Sequence, residues 1–189
     1  MKRLVLFIPL IIVLFVGVFF YSTMERISEG EFDPQAMPSA LLNKPLPVFE
    51  LPNLLQDEAV ISDKDLLGEI ALINVWATWC PSCHIEHPYL NYLSERLGVK
   101  LIGINYKDDA KLAKRWLKNK GNPYSHSIFD QDGKLGLDLG VTGAPETYVI
   151  DHRGFVRYRY QGPMSGTVWS EKFLPVIEAL QLEQQAQGG

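Results

Sequence analysis

Cys80 and Cys83 are the only cysteines in a chain of 189 residues, and only Pro81 and Ser82 separate them. The pair sits in Trp79-Cys80-Pro81-Ser82-Cys83, after the apolar run Ile70-Ala71-Leu72-Ile73-Asn74-Val75-Trp76 and before a helix-like stretch. A Cys-x-x-Cys at a strand-to-helix junction points to dithiol–disulfide chemistry. Backbone N–H groups at a helix start lack partners within the helix, and the helix dipole is positive there. A thiolate at that point is stabilised relative to a free cysteine, which titrates near about 8.5. The spacing places Cys80 at an exposed tip as the attacking thiol and Cys83, one turn in and more covered, as the resolving thiol. Pro81 suits the first helical position, where a missing N–H costs nothing.

Three other uses of the pair are open to the same residues. A zinc site needs about four nitrogen or sulfur ligands, so His84, His87, His126 or His152 would have to complete it. Cys80-Pro81-Ser82-Cys83-His84 spells the attachment pattern of a c-type haem. Haem also needs an apolar pocket and usually a second axial ligand, and the preceding strand and the internal proline favour a redox turn. A purely structural disulfide here would close too short a loop to constrain the unfolded chain much.

The elements that must position the pair follow from pattern. Residues 70–76 read as a central buried strand. A helix runs from Cys80 to about Leu97, stopped by Gly98, with Ile85, Leu90, Leu93 and Leu97 as its apolar stripe and a kink at Pro88. Upstream, Val48 to Leu51 and Ala59 to Ile61 pair as a hairpin. Val99 to Tyr106 is the next strand. Asp108 or Asp109 then caps a helix to Lys118, with Leu112, Trp116 and Leu117 inward and Lys111, Lys114, Arg115 and Lys118 on a solvated face. Ser127 to Phe129 is a short strand, and a short helix leads to Leu139 and Gly140. Thr147 to Asp151 and Phe155 to Tyr160 form a hairpin about His152-Arg153-Gly154. The alternation of Phe155, Arg157 and Arg159 against Val156, Tyr158 and Tyr160 makes one face of its second strand wet. A last helix turns Trp169, Phe173, Val176, Ile177 and Leu180 to one side, and Pro175 disturbs its first turn. Alternating strands and helices closed by a hairpin and a helix predict an α/β fold, a mixed sheet with helices on both faces.

The rest of the chain bounds where this chemistry operates. Met1-Lys2-Arg3 precedes an uncharged apolar run from Leu4 to Tyr21. At about 1.5 Å per residue that run just spans a bilayer core. Its exit through Phe19-Phe20-Tyr21 is bulky where a signal peptidase needs small residues, so residues 1–21 are expected to be an uncleaved transmembrane anchor. Residues 22–39 follow as a linker, 40–183 as one domain with its own core, and 184–189 as a flexible tail. Lys2 and Arg3 hold the N-terminus in the cytoplasm. The domain then lies on the far side, in a bacterium the periplasm, where disulfides persist. The net charge of −4 without a basic run excludes nucleic acid as an expected partner.

This arrangement resembles a thioredoxin fold, with Trp76 to Cys83 matching its active-site stretch, Pro88 its helix-kinking proline and Gly143-Ala144-Pro145 its cis-proline loop. Gly140 to Asp151, and Trp76 to Leu90 with Glu86 and His87, are more narrowly similar to the cytochrome c maturation thioredoxins of the DsbE/CcmG type. The segment from Gly121 to Gly140 is the extra strand and helix expected of them. The resemblance implies a membrane-anchored periplasmic thiol–disulfide oxidoreductase of the inner membrane. Its substrate would be the disulfide of apocytochrome c, or its mixed disulfide with a maturation protein, and a membrane thiol reductant of DsbD type would re-reduce it. A general periplasmic reductant, a disulfide donor and a non-catalytic apocytochrome-binding chaperone are the alternatives. No metal, haem or nucleotide is called for, since the Cys80–Cys83 pair carries the electrons.

One departure from plain thioredoxin stands out. The buried acid that precedes the first cysteine by six residues there is Asn74 here, which cannot ionise. Glu86, one turn beyond Cys83, is the expected substitute, a carboxyl raised by desolvation that moves the proton of the resolving step. Trp79, Ala144, Pro145 and Glu146 are expected to meet the substrate strand. Trp79 would offer a flat apolar surface, and Glu146 would add negative character near the cysteines.

Overall fold

The computed structural model describes residues 12–19, 21 and 41–187. The chain divides into two units, 1–37 and 38–189. In the first, residues 12–19 and 21 are helical. Among the described residues no helix is long and apolar enough to cross a membrane; most of the expected anchor and the whole of the expected linker lie outside them.

In the second unit β1 (Glu50–Pro52) and β2 (Val60–Ser62) form a small antiparallel hairpin. The main sheet uses β3 (Ala71–Trp76), β4 (Leu101–Tyr106), β5 (His126–Asp130), β6 (Glu146–Ile150) and β7 (Val156–Gln161) in the order β5-β4-β3-β6-β7. β3 runs parallel to β4 and β4 to β5, whereas β6 is antiparallel to both β3 and β7. The main helices are α1 (Pro81–Leu97), α2 (Ala110–Lys120), α3 (Lys134–Asp138) and α4 (Leu174–Gln187).

All six residues of β3 are buried, as a central strand covered on both faces requires. Because successive side chains alternate, Leu72 and Trp76 enter one core with Leu90 and Leu93 of α1, Leu117 of α2 and Leu180 of α4. Ala71, Ile73 and Val75 enter the other, with Leu135 of α3 and Leu66. Asn74 shares the face of Leu72 and Trp76, under α1. In β6, Val149 joins the α1-side core and Tyr148 and Ile150 the opposite one, so Thr147 faces α1 and Glu146 faces away.

Three expectations about the helices change, and an alternative left open is decided. The buried face of α1 is Cys83, Glu86, His87, Leu90 and Leu93, while Ile85 is 74% exposed; an apolar residue has gone outward so that a carboxyl could go inward. Leu112 is 51% exposed, because α2 seats Ala113 and Leu117 against the sheet instead. Asp109, not Asp108, caps α2, accepting from Leu112 N at 2.9 Å. The last helix reaches Gln187, into the expected tail. Its entry is irregular as expected. Residues Trp169–Phe173 are π-helical and Leu174 N donates to Trp169 O, directly before Pro175, which has no N–H to continue the α ladder.

Candidate functional site

The strand β3 ends at Trp76, and a short turn carries the chain to Cys80, which occupies the N-cap of α1 with Pro81 at the first helical position. Cys80 and Cys83 are joined by a disulfide. The Cys83 N–H points at Cys80 Sγ, 3.1 Å away, so the sulfur receives one of the unpartnered N–H groups of the helix start. After reduction the same donor and the helix dipole stabilise a thiolate at Cys80. The structure departs from expectation in exposure: Cys80 is 2% exposed and Cys83 1%. The bond ties the outer sulfur back to the inner one, and Ala144 packs against the core that holds both.

The turn before Cys80 is held from a neighbouring loop. Asp108 accepts from Thr78 N and Thr78 Oγ1, each at 2.6 Å, and from Asn105 Nδ2 at 2.9 Å. The Trp79 indole N–H donates to Lys107 O at 3.0 Å, which leaves the ring 54% exposed as a flat surface beside the disulfide. His84 Nε2 lies 2.9 Å from Thr78 O, and Trp116 Nε1 donates to His84 Nδ1 at 3.3 Å. The residue pinning the turn is thus Asp108. From the sequence it is one of two adjacent aspartates before a helix, and that position reads as a cap.

Glu86 is buried beneath this site on the same face of α1 as Cys83. Its Oε1 accepts from Asn74 Nδ2 at 2.9 Å and its Oε2 from Met164 N at 2.7 Å. Asn74 also donates to Thr147 Oγ1 at 3.1 Å and accepts from Tyr124 OH at 2.8 Å. Burial pushes the Glu86 carboxyl up to about 7, against the lowering effect of its two donors. Burial, with the neighbouring Glu86, likewise holds the Tyr124 hydroxyl well above its ordinary range, so it serves as a fixed donor. The amide that stands at Asn74 in place of an acid is therefore a clamp on Glu86, the acid expected to substitute for it. Beside Glu86, His87 sets Nε2 3.0 Å from Gly121 O, and burial moves its pKa down, so it fastens α1 to the end of α2 as a neutral ring.

The loop opposite carries a cis Ala144–Pro145 bond. Glu146 shapes that loop. Its Oε1 accepts from Thr142 N, Thr142 Oγ1 and Gly143 N at 2.8, 2.9 and 3.2 Å. Its Oε2 accepts from Tyr148 OH at 2.7 Å and from Arg159 Nε and Nη2 at 3.0 and 2.9 Å. Burial would raise this carboxyl, but the donors from Tyr148 and Thr142 and the Arg159 charge outweigh it and hold it below the usual carboxylate range. The expectation that Glu146 charges the surroundings of the cysteines is corrected. It points to the face away from α1, and its charge is neutralised. The same ion pair corrects the wet face of β7, where the Arg159 side chain is only 7% exposed.

The structure therefore brings Cys80, Cys83 and Glu86 together on one helix, sets Trp79 at the rim, and makes Glu146 the fastener of the Ala144–Pro145 loop. Among the described residues no group of three or more His, Cys, Asp or Glu is placed to hold a metal. The arrangement can exchange a disulfide and move one proton near neutral pH.

Comparison with known proteins agrees with that chemistry. The Redoxin family model matches residues 41–173. The thiol:disulfide interchange protein DsbE of Pseudomonas aeruginosa is 47% identical over 186 residues, covering 98% of this chain and 99% of its own. That of Escherichia coli (strain K12) is 49% identical over 180 residues, covering 94% and 96%. Among solved structures, a secreted thiol-disulfide isomerase from Corynebacterium glutamicum superposes with a TM-score of 0.64 at 22% identity, covering 78% of this chain and 96% of that one. A DsbF homologue from Corynebacterium diphtheriae gives 0.63 at 24% identity, covering 79% and 97%. These two likenesses establish the thioredoxin-like fold.

Proposed function

Since the chain belongs to the DsbE family of thiol:disulfide interchange proteins and carries the Redoxin domain, we propose that it is the thiol–disulfide oxidoreductase that reduces apocytochrome c during cytochrome c maturation. In this reading the chain is held in the bacterial inner membrane by residues 1–21, with residues 40–183 in the periplasm. The substrate is the Cys-x-x-Cys-His disulfide of the apoprotein or its mixed disulfide with a maturation protein. A membrane thiol reductant of DsbD type returns the enzyme to the dithiol form.

The steps follow from the site. The Cys80 thiolate, favoured by the Cys83 N–H and the start of α1, attacks one sulfur of the substrate disulfide. A mixed disulfide forms and the other substrate sulfur leaves as a thiolate, which takes a proton from solvent. The Glu86 carboxylate then accepts the proton of Cys83, whose thiolate attacks Cys80 Sγ. The Cys80–Cys83 bond forms and the second substrate thiol is released, protonated from Glu86 or water. The substrate gains two electrons and two protons, and the protein ends oxidised.

The observation that carries the reading is the redox pair at the helix start with a buried carboxyl on the same helix face, poised near 7. The reduction potential of Cys80–Cys83 in the full-length protein, equilibrated against glutathione, tests the direction. A value of about −270 to −200 mV matches thioredoxins and glutaredoxins and supports a reductant. A value near about −120 mV marks a disulfide donor and ends the proposal. The substrate is tested with Cys83→Ser, which is expected to accumulate a mixed disulfide with an oxidised Cys-x-x-Cys-His peptide; no adduct would refute the assigned roles.

A further inference from the structure

Beside the redox turn lies a groove of about 420 Å³ that the reaction steps leave unused. Its floor and walls include Trp79, Leu112, Arg115, Trp116 and Lys120. Leu112, Arg115, Trp116 and Asn119 fall at i, i+3, i+4 and i+7 of α2, so one helix face forms one wall. Trp79 and Leu112 are 54% and 51% exposed, a concentration of apolar surface that usually marks an interaction site. α2 itself, Ala110–Lys120, carries Lys111, Lys114, Arg115, Lys118 and Lys120 and no acidic residue, in a protein whose net charge is −4. Asp57 pairs with Lys114 at 2.6 Å, a lysine that does not line the groove, and the two acids that precede the helix are engaged: Asp108 holds Thr78 and Asp109 caps the helix.

We infer that this groove is a docking site for a redox partner's polypeptide in which an apolar side chain is flanked by carboxylates. The inference rests on the thiol–disulfide role proposed above. The groove is continuous with the reacting centre, because Trp79 is the residue bonded to Cys80. A partner joined to Cys80 Sγ can lay the adjoining segment between Trp79 and Leu112, over Trp116. Its carboxylates then meet Arg115 and Lys120. The positive charge of the groove is local and opposes that of the molecule as a whole: a protein of net charge −4 attracts cationic peptides at long range, whereas the groove selects anionic ones at contact.

That opposition of sign makes the test sharp. The probes are two synthetic peptides with the same internal Cys-x-x-Cys disulfide, one flanked by Glu-Leu-Glu and the other by Lys-Leu-Lys. Reduced full-length protein in neutral detergent is mixed with each, and the second-order rate constant of peptide reduction is measured at low and high salt. The glutamate peptide is expected to react about tenfold faster at low ionic strength, the gap closing to about twofold at 0.5 M salt as screening shortens the field. Arg115→Glu with Lys120→Glu is expected to reverse the order while leaving reduction of hydroxyethyl disulfide, small and uncharged, unchanged. Leu112→Ser is expected to lower the glutamate peptide's rate about threefold at high salt. Equal rates for the two peptides, a lysine peptide that is faster, or an order that survives the double substitution would overturn the docking site. Loss of both peptide preference and variant effect, together with binding of the wild type to phosphatidylserine vesicles that the double variant lacks, would give the cationic face to lipid instead. Failure to reduce even hydroxyethyl disulfide would defeat the redox reading on which the site depends.

Discussion

Glu86 and Glu146 are both 1% exposed, yet their protonation is driven in opposite directions. Glu86 has two neutral donors, Asn74 Nδ2 and Met164 N, and is raised to about 7. Glu146 is met by two backbone N–H groups, two hydroxyls and the Arg159 guanidinium, and is lowered. Burial disfavours the charged form of any carboxyl, and only enough donors, or an opposite charge, reverse it. The two sit on opposite faces of one sheet. Thr147, next to Glu146 in β6, faces the other way and meets Asn74. One face thus holds a carboxyl able to exchange its proton, and the other a carboxylate that never leaves its charged form at neutral pH and can fasten a loop.

The difference between the two carboxyls depends most heavily on Arg159. Arg159→Met leaves Glu146 as a buried charge without its cation, and unpairing such a charge costs about 3–5 kcal/mol. Urea unfolding at pH 7 should show that loss, and Glu146→Gln in the same chain should recover most of it through coupling between the two sites. A single-variant loss below about 1 kcal/mol would mean that Glu146 does not depend on the ion pair.

Next in size are the two pH dependences, which have opposite signs. Glu86 is raised from 4.5 to about 7, so the folded state binds its proton more tightly than the unfolded chain. Its contribution is complete at low pH and is lost as pH rises from about 4.5 through about 7, a fall of about 3 kcal/mol at about 1.4 kcal/mol per unit. Glu146 is lowered, so its contribution is complete above the ordinary carboxylate range and is lost on acidification below it. Unfolding free energies measured from pH 2 to 8 should lose the neutral-side slope in Glu86→Gln, whereas Glu146→Gln should flatten the acid side only. The reverse pattern would exchange the roles of the two residues.

The same contrast extends to rate. Glu86→Gln is expected to slow resolution of the mixed disulfide about a hundredfold, within the range of a positioned acid or base, and to remove the inflection near pH 7 from its pH profile. Stopped-flow exchange with a model disulfide reads both, and an unchanged profile would reduce Glu86 to a structural residue. The smallest effect belongs to Asp108, a carboxylate only half-buried. Asp108→Ala removes the acceptor of Thr78 and should cost about 1–2 kcal/mol, seen in thermal unfolding, with slower attack by Cys80 because the turn is no longer pinned.

Whatever is local in the chain was legible from the residues alone. The sole pair of cysteines, a proline at the first helical position and Gly98 as a stop each act on their immediate neighbours. With His152-Arg153-Gly154 as a hairpin turn, they settle the redox pair, the strand-to-helix junction and most of the element order. Glu86 was legible because one helical turn joins it to Cys83. The tertiary structure decided the rest, since it depends on partners far apart in sequence: Asn74 with Glu86 and Tyr124, Thr78 with Asp108, Glu146 with Arg159. Periodicity counts Ile85 and Leu112 as inward and Arg159 as outward, because it ranks residues by hydrophobicity alone. Packing reverses all three, since a buried charge with a matched partner can be retained, while an apolar residue on the surface costs little. Whether a carboxyl in this sheet becomes a proton carrier or a fixed anion is set by which face its strand or helix turns toward which donors, and no stretch of sequence contains that information alone.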